Sequence, residues 1–150
     1  MIATDERGQV LAFFAALLPI VLLPLAAYAV DAAFVSARAA ALEGATAQAA
    51  EAAAQQVDIT GLRASSELIV DVSRARAVAM QSIDSSEPGA SVQSVVINGA
   101  TVTVTATELV KLPFALFPAT AIKLEARASA RLVAGYDRPS SRLPLPTSNF

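Results

Sequence analysis

The sequence predicts an α+β protein. A long N-terminal helix, a membrane span continuing into an alanine-rich stem, precedes a small head with one helix and an antiparallel sheet of about three strands. Three observations carry that expectation. Residues 8–30 hold no charged side chain. Asn98-Gly99 sits between two β-rich runs. Residues 121–133 alternate apolar and polar side chains almost without error.

The uncharged run reads GQVLAFFAALLPIVLLPLAAYAV. As helix it is about 34 Å long, enough to cross a hydrocarbon core of about 30 Å. Pro19 and Pro24 each remove one helix hydrogen bond and free the carbonyls of Ala15 and Ile20, which membrane helices tolerate. A signal peptide competes with the span, because Ala27-Tyr28-Ala29 has the small-residue form that signal peptidase reads. Against it, the apolar run is long for such a peptide, and Asp5 and Glu6 outweigh Arg7 before it. Charge does not fix orientation, since Arg7 on one side is matched by Arg38 on the other. Asp31, the first charge after the run, is expected at the membrane interface facing water.

Beyond Asp31 the chain is mostly alanine, with a single glycine, Gly44, and no proline before residue 57. Alanine is the strongest helix former, so the membrane helix is expected to run straight on. Ala33, Ala37, Ala41, Ala45 and Ala49 recur every four residues and make a smooth ridge. Either they merely line a solvated helix or they let another helix approach closely. Together with Phe13, Phe14, Pro19 and Pro24 they are the candidate helix-packing residues.

A turn at residues 58–61 should end the rod. Ser65-Ser66-Glu67 can cap a second helix with Leu68, Val72, Ala75, Ala79 and Ile83 on one face. Asn-Gly then predicts a two-residue hairpin in which Ile97 opposes Ala100 and Val95 opposes Val102, with Val96 and Thr101 on the other face. Residues 111–120, with Pro113 and Pro118, form a connection carrying Phe114 and Phe117. In the last strand Ile122, Leu124, Ala126, Ala128, Ala130 and Leu132 face one way. Lys123, Glu125, Arg127, Ser129 and Arg131 face the other, most simply as a solvated sheet surface. The tail from Gly135 is rich in proline and serine and favours extended backbone. The organisation is therefore 1–8 leader or cytoplasmic segment, 9–30 span, 31–57 stem, 58–134 head and 135–150 tail.

Composition excludes much chemistry. The 150 residues include no cysteine, histidine or tryptophan. That removes thiolate zinc sites, disulfides and imidazole-based nucleophile triads. A formal charge of −2 argues against a nucleic-acid-binding surface. Asp58, Asp71, Asp84 and Glu108 show no spacing that pairs them on one element, and no phosphate loop or metal-ligand pattern occurs. No catalytic residue, cofactor, metal or small-molecule substrate is expected.

Gly8-Gln9-Val10-Leu11-Ala12-Phe13-Phe14-Ala15, then Leu18-Pro19, Val30-Asp31, Arg38 and the alanine-rich residues 42–54 resemble the N-terminus of the TadE/TadG-like family. These are minor pilins or pseudopilins of the tight-adherence (Flp, type IVc) pilus machinery. The resemblance covers the first third of the chain well and the strand-rich last third loosely. It implies a pilin-like fold, a single-pass membrane protein with its head outside the cytoplasm, and an extracellular position once assembled. The implied partners are other pilin or pseudopilin subunits and the assembly machinery. In processed members cleavage follows the glycine, which would be Gly8 with Gln9 as the first mature residue. A glutamate usual at the fifth mature position is here Phe13, which points to an initiating or tip-proximal subunit rather than the major pilin. The second reading from sequence is a secreted envelope protein or adhesin released after Ala29.

Overall fold

The computed structural model describes residues 6–65, 69–115 and 121–132. The predicted α+β layout is the one observed. Helix α1 (Glu6–Ala54) runs unbroken for 49 residues through both Pro19 and Pro24. Gly44 does not interrupt it, because that position is exposed with open space around it and the penalty is only about 1 kcal/mol.

The turn expected at residues 58–61 is the start of a short helix, α2 (Ile59–Ser65). The carboxylate of Asp58 accepts from the Thr60 and Gly61 amides, each at 3.0 Å, and so holds its first turn. A bridge between Val57 and Val70 closes the segments flanking α2. The Asp58 amide donates to the Ile69 carbonyl and the Asp71 amide to the Gln56 carbonyl.

Helix α3 (Val72–Ser86) begins later than Ser65-Ser66-Glu67 would place it. Asp71 is its N-cap, accepting from the amides of Ser73 and Arg74. A carboxylate satisfies these orphan donors and also suits the positive end of the helix. Of the expected apolar face, Ala75, Ala79 and Ile83 are buried and Val72 is exposed. Ser66, Glu67 and Leu68 lie outside the described residues, as do Phe117, Pro118 and the tail.

Strands β1 (Ala90–Asn98), β2 (Thr101–Lys111) and β3 (Ala121–Arg131) form an antiparallel meander in that order. The hairpin register is not the expected one. Asn98 pairs with Thr101, Ile97 with Val102 and Val95 with Val104, so Gly99 and Ala100 occupy the turn. Gly99 has φ of 59° and Ala100 does not share a positive φ. This is the glycine-first two-residue turn, in which one residue alone must adopt that conformation. The slip moves each partner by two residues, so the faces stay as expected. Val102, Val104, Ala106 and Val110 point inward, and a bulge between Val92 and Ser94 bends the edge strand β1.

The inner face of the sheet packs on α1, with α3 alongside. The shared core holds Leu42, Ala45, Ala49, Ala50, Ala53 and Ala54 from α1, Ala75, Ala79 and Ile83 from α3, and Val102, Val104, Ala106 and Ala126 from the sheet. The part of α1 beyond Asp31 is thus one wall of the head. Fully burying a side chain such as Leu42 or Ile83 contributes about 1.5–3 kcal/mol. On β3 the predicted alternation holds, with Lys123, Glu125, Arg127, Ser129 and Arg131 all exposed.

Candidate assembly and membrane surface

Residue 31 divides α1 into two surfaces. From Val10 to Val30 every side chain is exposed apart from the half-buried Ala27, and none is buried. Phe13 and Phe14 stand edge to face with ring centroids 6.2 Å apart, and both are more than half exposed. The segment is long and apolar enough to cross a membrane or to serve as a signal sequence. Pro19 and Pro24 lie within it, and Gly8 and Gln9 lie in the first turns of the helix.

Asp31 does not face water. It is only 6% exposed, and its Oδ1 accepts from the Phe114 amide at 3.0 Å. The backbone at Phe114, just after β2, therefore meets the carboxylate where the apolar segment ends. Burial without a partner would be costly, and the amide offsets part of that cost.

Two turns higher, Arg38 joins three elements. Its Nε and Nη2 donate to Oε1 of Glu108 on β2, the former at 3.1 Å. Nη2 also meets Oε2 of Glu87, just after α3, at 3.0 Å. The hydrogen bond to Glu108 holds the guanidinium pKa above its ordinary value. Glu108 is nearly buried, and its Oε2 has no hydrogen-bond partner among the described residues. Gly89 borders this cluster, where an added Cβ would lie 3.3 Å from Glu108 Oε1.

The alanine ridge divides in the same way. Ala33 and Ala37 are exposed and Ala41 is half-buried, whereas Ala45 and Ala49 are sealed in the chain's own core. Only the lower part of the ridge is open to another molecule.

The depression between α3 and β1, lined by Met80, Gln81, Ile83, Asp84, Ala90 and Val92, contains one carboxylate and no cation. Among the described residues no group of three or more acids is placed to hold a metal ion. Sequence reasoning missed the Arg38 cluster because its members are far apart in the chain. Its signal was nevertheless present: Glu108 falls on the inward parity of an otherwise apolar β2 face, and an acid there requires a cationic partner. No protein-family model, curated protein or solved structure matches the chain.

Proposed function

We propose that this chain is a structural minor pilin or pseudopilin of a tight-adherence, type IVc-like pilus system, held in a membrane by α1 with its head outside the cytoplasm. The observation that supports this most is the division of one continuous helix. Its first half is an apolar shaft in which no side chain from Val10 to Val30 is buried, and its second half is built into the head. A shaft of this kind is satisfied by lipid or by the equivalent helices of other subunits. In this reading function rests on polypeptide contacts made through the shaft and the open part of the ridge at Ala33 and Ala37.

The fifth residue after Gly8, Phe13, cannot pair with a neighbour's amino terminus as a glutamate would. We therefore place the chain at the start or near the tip of a filament, or in the membrane as an assembly factor. A filament composed mainly of this chain would refute that placement. The second reading, release after Ala29, draws on a specific feature: the buried Asp31 and the Arg38 cluster both follow residue 30, so a chain starting at Val30 keeps their contacts with the head. N-terminal sequencing of the mature protein separates these readings. A start at Gln9 supports a processed pilin and an intact Met1 an uncleaved anchor. A start at Val30 overturns the membrane reading in favour of secretion.

A further inference from the structure

We propose that residues 112–115 after β2, centred on Phe114, are a second membrane contact that seats the head on the lipid surface. This rests on the reading of α1 as a retained span. The argument begins with level. Asp31 directly follows the exposed apolar segment, and its bond from the Phe114 amide fixes the loop at that height. Tyr28 and Phe34 lie three residues to either side of Asp31, about 4.5 Å along the helix axis. Both aromatics are partly exposed.

The direction of the strands agrees. Residues 31–54 rise about 35 Å, and the 11 residues of β3 span about 36 Å beside them. The loop lies at the bottom of that wall, and the Gly99 turn at the top. Lys111 and Lys123 both fall in the bottom rows of the sheet, where Lys111 pairs with Ala121 and Lys123 with Leu109. Both lysines are exposed, Leu109 is 66% exposed, and Phe114 is 56% exposed. Apolar side chains beside lysines, level with the end of a span, match the interfacial zone of a bilayer, where amphipathic side chains and cations collect. Ala115 then takes φ of 46°, a strained conformation for alanine that turns the chain immediately after Phe114. The occupant is therefore lipid with anionic headgroups.

The absence of tryptophan makes single-tryptophan reporters clean. Full-length Phe114→Trp and Leu17→Trp variants are reconstituted separately into vesicles of phosphatidylethanolamine and phosphatidylglycerol. Matched vesicle sets carry bromine near the headgroup or near the acyl-chain end. The expected result is strong quenching of the Leu17→Trp variant by the deep bromines. The Phe114→Trp variant should show blue-shifted emission and lose more intensity to the shallow bromines. Adding Asp31→Ala, which removes the acceptor, should reduce that quenching, and Asp31→Asn, which keeps an oxygen acceptor, should preserve it. Unquenched, water-like emission from Phe114→Trp beside a quenched Leu17→Trp overturns the loop contact and leaves the span standing. Blue-shifted emission that bromine does not quench overturns lipid as the occupant in favour of a neighbouring subunit. If neither reporter is quenched, α1 is not in the bilayer, and both the span reading and the loop contact fall.

Discussion

Replacing alanines of the ridge one at a time by leucine should divide the ridge at the level where the head begins. Ala49 is 0% exposed and shares its core with Val102, Val104 and Ala106, each also 0% exposed. Leucine adds three carbons at a fully buried site. Overpacking of this kind costs about 1–3 kcal/mol. For a head of about 100 residues each kcal/mol moves the midpoint by about 4–8 °C, so a loss near 2 kcal/mol lowers Tm by roughly 8–16 °C. Ala33 is exposed, and leucine is nearly as good a helix former, so Ala33→Leu should change stability by less than about 0.5 kcal/mol. The assay is thermal denaturation of the full chain in detergent, followed by circular dichroism in the sheet region. Under the proposed function, Ala33→Leu and Ala37→Leu should instead impair filament assembly while leaving Tm unchanged. An Ala49→Leu variant as stable as the parent, or an Ala33→Leu variant that melts many degrees lower, would refute the division of the helix at residue 31.

Other perturbations test the joints of the head. Asp71 is held below the ordinary carboxylate pKa, first by the Ser73 hydroxyl at 2.6 Å and then by the Arg74 amide. A lowered folded-state pKa gives stability that is present above the unfolded value of about 3.9 and lost as pH falls through the folded value. Urea midpoints measured from neutral pH downward should therefore decline less steeply for Asp71→Asn, which keeps an acceptor oxygen but does not titrate. Gly99→Ala puts a Cβ at φ of 59° and should cost about 1 kcal/mol, with Gly99→Asn closer to neutral; a stabilised Gly99→Ala would contradict the turn assignment. Arg38→Met should lower the urea midpoint by leaving the Glu108 carboxylate nearly buried without its cation. The double variant Arg38→Met/Glu108→Met should recover part of that loss, and equal midpoints for the two would show that the pair is not coupled.

Much of the architecture was legible because periodicity carries it. An uncharged run of membrane length, an alanine stretch without breakers and the alternation of β3 each depend on local sequence alone. The helix-start position was misread because two capping signals compete. Ser65-Ser66-Glu67 matches a capping pattern, but Asp71 stands directly before the residues whose spacing buries Ala75, Ala79 and Ile83. The hairpin was recognised and its register missed for a related reason. Asn-Gly favours a turn with two positive φ values, whereas the Ile97 to Val102 pairing places Gly99 first and asks only glycine to take one. Contacts between distant residues left weaker traces. Asp31 reads as an interfacial acid until the loop carrying Phe114 is folded over it, and nothing local to residue 31 announces that loop.

The composition of the core gives the polar joints a particular importance. Of the fifteen buried apolar residues described, nine are alanine, and α1 contributes five of these. A methyl group removes little apolar area from water, so this wall of the core gains stability by close approach rather than by large side chains. Close approach has a consequence for specificity. Along the row Ala45, Ala49 and Ala53 the face repeats itself after each turn, so a slide of about 5.4 Å along the sheet would replace one alanine of that row by another, leaving Leu42 as the large apolar side chain that marks the position. Arg38 cannot make that slide without leaving Glu108 and Glu87, and Asp31 cannot make it without leaving the Phe114 amide. These contacts fix the axial position of α1 against the head, as single buried polar residues fix register in coiled coils. That position also sets how far the apolar shaft projects below the head. The height of the head above a membrane, or above the shafts of neighbouring subunits, is therefore determined by three acids and an arginine rather than by the alanines that do most of the packing.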